Sequence, residues 1–246
     1  MTSEYCFVIP NYNHADVIES TIASLQSFQM PIILVDDGSN IATQQVLADI
    51  DDKFSNVVLI RREQNGGKGA AVDTGLKKAH QIGMTHALQV DADGQHNLAD
   101  VEKLLAESRA FPDSLISGRP VYDESISKGR YYGRFITHFW VWIETLSLQI
   151  KDSMCGFRVY PLAAYVKLTD HVSLGQRMDY DIEVMVRLFW QGLTVRFITT
   201  KVHYPEGGIS HFNALHDNWL ISKMHSKLFF GMLVRSPSLL LRHFQR

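Results

Sequence analysis

Two aspartates lie one residue apart in the stretch LQVDADGQH, residues 88–96, directly after a segment with strand character. Charge at the end of a buried strand costs free energy unless a partner neutralises it. Asp91 and Asp93 could together meet a hard divalent cation, directly or through water, and that cation could hold a diphosphate. An Asp-x-Asp pair by itself also occurs as a helix cap or in a solvated turn, so its meaning depends on the residues around it.

Polar residues follow other strand-like runs as well. The run IILVDD, residues 32–37, ends in Asp36 and Asp37, and a solvated turn is the alternative explanation for this pair. The turn NGGKG, residues 65–69, places Lys68 at a helix start, where flexible backbone and a positive charge suit an anion. The turn matches neither the phosphate-binding GxxxxGK(S/T) pattern nor the dinucleotide fingerprint, and on spacing alone a tight turn explains it slightly better.

Short apolar runs that alternate with helical patterns must position these residues. Asn13 is predicted to cap the first helix, and Arg119 follows the last strand of the series. The alternation predicts an α/β fold with a mostly parallel sheet and helices on both faces. Ligands of such sheets bind beyond the carboxyl ends of the strands, so one shared site is expected there. The predicted strands span residues 5–10, 32–37, 57–63, 86–93 and 114–118.

The second half of the chain has a different pattern. Residues 130–150 form an aromatic-rich helix pattern that begins with Arg130 and Arg134. Its apolar stripe is interpreted as core, with a lipid groove as the alternative. The stripe consists of Tyr132, Phe135, Phe139, Ile143, Leu146 and Ile150.

The tail, residues 218–246, contains five Lys or Arg residues, no Asp or Glu, and interleaved apolar residues. This composition predicts a basic amphipathic segment that binds an anionic membrane surface through charge and shallow apolar burial. The alternative is that its apolar residues pack on the domain or on a second subunit in a homo-oligomer.

Composition excludes several classes of protein. The 246 residues are 46% hydrophobic and 20% charged, which is typical of a globular chain. The net charge of −2 provides no basic field for a nucleic acid partner. The two cysteines, Cys6 and Cys155, form no disulfide framework and favour a reducing compartment. Because neither a signal peptide nor an apolar run of spanning length is recognisable, we expect a cytoplasmic chain, peripheral on the cytoplasmic membrane face.

The ordered motifs VIPNYN, VDDGS, NGGKGAAVDTG, VDADGQH, SGR and CGFR resemble those of glycosyltransferase family 2. Within this family they look closest to the polyprenyl-phosphate (dolichyl-phosphate) mannose or glucose synthases, and the resemblance extends from residue 5 to about residue 210. It implies a GT-A fold and a UDP- or GDP-linked sugar as donor. It also implies a divalent cation, Mg²⁺ or Mn²⁺, and inversion at the anomeric carbon.

The resemblance also implies roles for individual residues. Arg119 and Arg158 match basic residues near the transferred sugar or the acceptor. His14 stands where the synthases have Glu, a departure that concerns the acceptor more than the reaction. The residues implied for the nucleoside pocket are Pro10, Tyr12, Asn13, Asp36 and Asp37, and those for the metal and the diphosphate are Asp91, Asp93 and Gln95.

The acceptor is left open between a lipid phosphate and a hydroxyl group. A phosphate is already ionised and needs cations, which Arg119, Arg130, Arg134 and Arg158 could supply as bidentate contacts. A hydroxyl group needs a base, and Asp181 or Glu183 could take its proton. These two acids are explained equally well by the preference for acidic residues at a helix N-terminus. His211 could reach the diphosphate or be a solvated loop residue.

We therefore expect a glycosyltransferase domain over residues 1–212, with a nucleotide-sugar half to about residue 119 and an acceptor half from residue 120. Residues 213–246 would form the C-terminal helical extension. A sugar-nucleotide pyrophosphorylase is disfavoured because the first strand ends in Pro10-Asn11-Tyr12 instead of a Gly-rich loop. A non-catalytic nucleotide-sugar or lipid-binding module is the alternative from another class, and the joint presence of Asp91, Asp93 and Gln95 argues against it.

Overall fold

A computed structural model describes residues 3–122, 128–202 and 212–244 of the chain. The strands are β1 (Tyr5–Asn11), β2 (Ile32–Asp36), β3 (Val57–Arg61), β4 (His86–Gln89), β5 (Leu115–Tyr122), β6 (Arg158–Pro161) and β7 (Val195–Val202). The helices are α1 (Ala15–Leu25), α2 (Ile41–Lys53), α3 (Lys68–Gln81), α4 (Val101–Ala110), α5 (Lys128–Thr145), α6 (Leu162–Thr169), α7 (Tyr180–Trp190) and α8 (Ala214–Phe244).

The described strands form one seven-stranded sheet in the order β3-β2-β1-β4-β6-β5-β7. All neighbours are parallel except β6, which runs antiparallel to β4 and β5. Side chains of β1 alternate between two cores: Cys6 and Val8 pack with α3 and α7, while Phe7 and Ile9 pack with α1 and α4. Burial on both faces explains why the central strands are continuous apolar runs. The predicted α/β class with a mostly parallel sheet is confirmed.

Strand β4 is shorter than the predicted strand 86–93, because its pairing with β1 and β6 ends at Gln89. The Val90 N–H still donates to the Val8 carbonyl at 3.0 Å, after which the chain turns. Asp91 and Asp93 therefore lie in the turn beyond the sheet.

Asn13 does not cap α1, contrary to the sequence prediction. The helix begins at Ala15, and Asn13 has a left-handed backbone with φ +58°. Its side-chain Oδ1 accepts the Asn40 N–H at 2.9 Å, and its own N–H donates to Ser39 Oγ at 3.0 Å. Asn13 thus connects the loops that follow β1 and β2 through hydrogen bonds.

Helix α5 ends at Thr145, and Leu146 follows it with a left-handed φ of +48°. The predicted core stripe is wrong for the N-terminal half of the helix, where Tyr132, Phe135 and Phe139 are more than half exposed. Among the described side chains of α5, the buried ones are Thr137, Val141, Glu144 and Thr145.

Helix α8 packs on α5 and α7 with one face and exposes the other. Met224, Leu228 and Met232 are buried, whereas Phe230 and Val234 are 66% and 81% exposed. The inward face agrees with the alternative that the tail packs on the domain. Across residues 3–122, 128–202 and 212–244, no helix combines the length and apolarity needed to cross a membrane.

Candidate active site

A cavity of about 800 Å³ lies beyond the carboxyl ends of β1, β2 and β4. Its walls include Pro10 at the end of β1, Tyr12 directly after it, the NGGKG turn at the start of α3, and the turn that follows β4. The second half of the chain contributes one side of α5 and the beginning of α8. The cavity therefore lies at the edge of the sheet where the topology predicts a ligand.

Asp37 lines this cavity and holds the NGGKG turn in place. Its Oδ1 accepts from Arg62 Nη1 at 2.8 Å and from the Gly66 N–H at 3.0 Å, and its Oδ2 accepts the Gly67 N–H at 2.8 Å. Burial raises the pKa of Asp37, and these hydrogen bonds and the charge of Arg62 offset the rise only in part. Asp36 is fully buried and accepts the Ser39 N–H at 2.9 Å. Of the two, only Asp37 reaches the cavity.

Gly67 allows the second half of the chain to approach the turn closely. Its φ is +94°, and a Cβ atom there would lie 2.6 Å from the Gln176 carbonyl and 2.7 Å from Arg177 Cγ. The Ala70 N–H donates to the same carbonyl at 3.0 Å. NGGKG is therefore both a tight turn and the docking point of the segment that precedes α7, which brings Arg177 to the cavity wall.

Lys68 forms ion pairs with two carboxylates. Its Nζ lies 2.8 Å from Asp91 Oδ2 and 3.1 Å from Asp181 Oδ2. Gln89 Nε2 donates to Asp91 Oδ1 at 3.1 Å, and His96 Nε2 lies 3.3 Å from Asp91 Oδ2. Burial alone would raise the pKa of Asp91, but the charge of Lys68 and the His96 contact outweigh it and hold the pKa well below its usual range. Burial would lower the pKa of Lys68, and the two carboxylates raise it instead.

Asp93 lines the same cavity with fewer partners. Its Oδ1 accepts the Gln95 N–H at 3.1 Å, and no lysine or arginine in the described part of the chain forms an ion pair with it. Gln95 lies beside it on the wall.

The described residues contain no group of three His, Cys, Asp or Glu side chains that could hold a metal. A hard cation that is bound by one or two carboxylates, water and substrate phosphates needs no such group. Asp93 and Gln95 fit that kind of site, while Asp91 would have to share its oxygens with Lys68.

Three residues predicted for catalysis lie behind the cavity wall. Arg158 is fully buried and donates to the backbone carbonyls of Asp181 and Ser153, both at 2.6 Å. The buried Glu183 accepts from Arg187 Nε at 2.8 Å and from Lys227 Nζ at 3.1 Å. Asp181 is held by Lys68. None of these three side chains lies on the cavity wall, which disfavours acceptor contact for Arg158 and a role as base for either acid.

The remaining predicted arginines and His211 differ in position. Arg119 is exposed on β5 and is not on the cavity wall. Arg130 lies in the first turn of α5, with its side chain outside the described part, and His211 lies outside the described residues. Arg134 is on the wall, where Nε and Nη2 form a bidentate pair with Asp152 at 3.2 and 2.9 Å.

Sequence reasoning missed Arg177 and the beginning of α8. Arg177 Nε donates to Asp217 Oδ1 at 2.7 Å, and Asn218, the next residue, and Ile221, one turn later, also line the cavity. The forty positions between Arg177 and Asp217 leave no periodic signal. The sequence contains one hint, namely that Arg177 directly precedes the segment 178–183, which carries the candidate acids.

Comparison with known proteins gives concordant results. The model of the family described as Glycosyl transferase family 2 matches residues 6–171. The chain is 35% identical over 215 residues to the UDP-N-acetylglucosamine--dolichyl-phosphate N-acetylglucosaminyltransferase of Methanococcus voltae, a match that covers 81% of this chain and 85% of that protein. It is 30% identical to dolichyl-phosphate beta-glucosyltransferase ALG5D of Trichomonas vaginalis, over 82% of this chain and 66% of that longer protein.

Two solved structures have a similar fold. One is glucosyl-3-phosphoglycerate synthase from Mycobacterium tuberculosis in complex with Mn²⁺, UDP-glucose and phosphoglyceric acid. It has a TM-score of 0.68 at 15% identity, covering 94% of this chain and 79% of that one. The other is the mannosyltransferase PcManGT from Pyrobaculum calidifontis in complex with GDP-Man and Mn²⁺, with a TM-score of 0.61 at 15% identity, covering 96% of this chain and 65% of that one.

Proposed function

Because the chain belongs to glycosyl transferase family 2, and is therefore a glycosyltransferase, we propose that it transfers a sugar from a nucleotide diphosphate to a polyprenyl phosphate. Its relatives include dolichyl-phosphate glycosyltransferases, which match the polyprenyl-phosphate sugar synthase branch of the family. The fold is of the GT-A type, with α8 as a C-terminal helical extension.

A nucleotide-linked sugar as donor is supported by the position of the cavity and by the fold neighbours. The cavity extends from Tyr12 past Lys68 to Asp93, along the carboxyl ends of the strands. Two neighbours of the same fold were solved with UDP-glucose or GDP-Man together with Mn²⁺.

The charges on the cavity wall favour a phosphate acceptor, and this observation carries the proposal. The described carboxylates on the wall are Asp37, Asp91 and Asp93. Asp37 is engaged by the NGGKG turn and Asp91 by Lys68, so Asp93 remains, and it is the proposed cation ligand. A hydroxyl acceptor would need a further carboxylate as base, whereas a phosphate is already ionised and needs none. Arg134 of α5, which is paired with Asp152, places a guanidinium group on the wall of the same cavity.

The reaction would be a single displacement. A phosphate oxygen of the acceptor attacks the anomeric carbon from the face opposite the nucleotide, the bond to the diphosphate oxygen breaks, and the configuration inverts. A divalent cation held by Asp93 and Gln95 would offset the charge that develops on the leaving diphosphate. Lys68 fixes Asp91, Asp37 fixes the NGGKG turn, and Arg134 holds positive charge where α5 borders the cavity.

We further propose that α5 and α8 seat the protein on a membrane. Gly133, Arg134 and Thr137 of α5 line the cavity, while neighbouring aromatic residues of the same helix are exposed. Large exposed apolar patches mark interaction surfaces, and aromatic residues are enriched at membrane interfaces. The exposed apolar surface consists of Tyr131, Tyr132, Phe135, Ile136, Phe139 and Trp140 on α5, and Trp219, Phe230, Leu233, Val234, Leu240 and Leu241 on α8.

A transfer assay tests the acceptor. The purified chain is incubated with UDP-glucose, UDP-N-acetylglucosamine or GDP-mannose, with Mn²⁺, Mg²⁺ or EDTA, and with undecaprenyl phosphate or undecaprenol. We expect a glycolipid with the phosphate and a cation, and none with the alcohol or in EDTA. Transfer to the alcohol with no product from the phosphate would refute the proposal, and the anomeric configuration of the product, read by NMR, tests inversion.

A further inference from the structure

Lys68 is enclosed between the two halves of the chain. It begins α3, yet its ammonium group is shared by Asp91 from the turn after β4 and Asp181 from α7. Gly156 packs directly against this ion pair, because a Cβ atom there would lie 2.7 Å from Lys68 Nζ and 2.9 Å from Asp91 Oδ2. Only 21% of the Lys68 side chain is exposed. The ammonium group is therefore held in place rather than mobile in solvent.

The same contacts occupy Asp91. Lys68 and His96 lie against its Oδ2, and Gln89 donates to its Oδ1. An ammonium group and a divalent cation compete for the same carboxylate oxygens, so a cation can use Asp91 fully only if Lys68 moves toward Asp181. Asp93, two residues on, carries no such partner among the described residues.

We propose that Lys68 is a resident counter-ion of Asp91 that keeps the affinity for a free divalent cation low and makes cation binding depend on the nucleotide diphosphate. Asp93 and Gln95 supply few oxygens, and the diphosphate supplies the others. Asp181 is the second partner that can retain the lysine when Asp91 turns to the cation. This inference rests on the proposed use of a divalent cation, and it makes Lys68 a positioning residue.

Mn²⁺ binding, followed by the EPR signal of the free ion, tests the inference without turnover. In the absence of nucleotide, the wild type should bind Mn²⁺ weakly, and Lys68→Met should bind it at least about ten-fold more tightly, the size of effect that one neighbouring charge has on a buried ionisable group. Lys77→Met is the matched control, because Lys77 also lies on α3 and pairs with Asp73 on the same helix. Addition of UDP or GDP should tighten binding in the wild type and reduce its difference from Lys68→Met.

Two further variants keep the test decisive if Lys68→Met is poorly folded. Lys68→Arg retains the charge and should keep the low affinity for free Mn²⁺. Asp181→Asn removes the second carboxylate, so Lys68 pairs with Asp91 only. This variant should therefore bind Mn²⁺ more weakly than the wild type in the presence of nucleotide. If the Mn²⁺ affinity is unchanged in Lys68→Met and in Asp181→Asn while the wild type shows normal nucleotide-dependent binding, the proposed role of Lys68 is overturned, but the proposed use of a cation is not. No Mn²⁺ binding by the wild type with either nucleotide overturns the proposed cation dependence and this inference with it.

Discussion

Asp91 and Asp93 are one residue apart in the chain but differ in what they contact. Asp91 is engaged by Lys68, Gln89 and His96, whereas Asp93 lines the cavity with one backbone hydrogen bond. A carboxylate without a described ion pair contributes little to the fold but is available to a ligand. We therefore expect substitution of Asp91 to affect stability, and substitution of Asp93 to affect catalysis.

Substitution of Asp93 should abolish most activity and leave the fold intact. We expect Asp93→Asn and Asp93→Ala to lower the rate of transfer by at least about 10²-fold, the usual cost of removing one group that stabilises developing charge. The melting temperature should change little, because the residue has no ion pair in the described structure to lose. Steady-state transfer and thermal unfolding measure the two effects, and full activity of either variant, or of the wild type in EDTA, would contradict this prediction.

Arg134 should affect the acceptor more than the donor. Its guanidinium lies on the cavity wall with Nε and Nη2 bonded to Asp152, and among the described residues no hydrogen bond occupies Nη1, which a ligand could therefore use. We expect Arg134→Ala to raise the KM for undecaprenyl phosphate at least about ten-fold, since hydrogen bonds to charged groups contribute about 1.5–3 kcal/mol each. The affinity for the nucleotide should stay near that of the wild type. Arg134→Lys keeps the charge and should lose less.

Glu183→Gln is the comparison for Arg134→Ala, because Glu183 is buried in ion pairs with Arg187 and Lys227 away from the cavity. It should lower the melting temperature and affect transfer mildly. If Glu183→Gln or Asp181→Asn instead abolishes transfer while the binding of both nucleotide and Mn²⁺ stays intact, and Arg134→Ala is silent, the acceptor is a hydroxyl group.

At the scale of elements, sequence patterns predicted the strands better than the contacts between distant segments. The runs that became β1, β2 and β3 are apolar and bounded by turn residues, so local information suffices for them. The outward stripe of α5 was misassigned because periodicity identifies an apolar face without revealing whether another element covers it. Helix α5 ends before the predicted residue 150 because Leu146 adopts a left-handed backbone, which the sequence pattern does not predict.

The candidate site was predicted best where its residues come from strand ends, although Lys68 of the NGGKG turn and Arg134 of α5 were also predicted and lie on the wall. Asp37, Asp91 and Asp93 follow strands and lie on the cavity wall, as the topology requires. The motif that contains Arg158 was recognisable, but its burial depends on the packing of β6 between β4 and β5. The pairs Lys68–Asp181 and Arg177–Asp217 join distant parts of the chain, and no local pattern encodes them.

The NGGKG turn should tolerate no side chain at Gly67. Gly67→Ala places a Cβ atom 2.6 Å from the Gln176 carbonyl in addition to straining a φ of +94°, so the segment that precedes α7 must shift. Gly83→Ala is the matched control, with φ +89° and nothing within 4 Å of the new Cβ. We expect Gly83→Ala to cost about 1–2 kcal/mol of unfolding free energy from backbone strain alone. Urea denaturation should show a larger loss for Gly67→Ala, together with weaker nucleotide binding, and equal losses would contradict the docking role of Gly67.

At the scale of the whole molecule, the cavity and the apolar surface share the same two helices. One side of α5 lines the cavity, and the beginning of α8 contributes Asn218 and Ile221 to it. Trp140 of α5 and Phe229 of α8 make an edge-to-face ring contact with 6.3 Å between centroids. A lipid phosphate held near Arg134 would thus have an apolar surface beside it for its chain.

The α5–α8 surface should bind anionic membranes, and its apolar side chains should be needed for this. Burial of each exposed side chain at the interface contributes about 1.5–3 kcal/mol at most, so Phe135→Ser with Phe139→Ser, or Leu233→Ser with Val234→Ser, should weaken binding at least about ten-fold. Ile41→Ser with Ile82→Ser is the control, because these residues are also exposed but lie on α2 and directly after α3.

Flotation with phosphatidylglycerol vesicles measures binding, and neutral phosphatidylcholine vesicles should recover less protein because Lys223 and Arg235 on α8 favour anionic headgroups. If all variants float as the wild type does, the surface does not bind the bilayer. If the wild type does not float but forms a dimer that either serine pair dissociates, the surface binds a second copy of the chain instead.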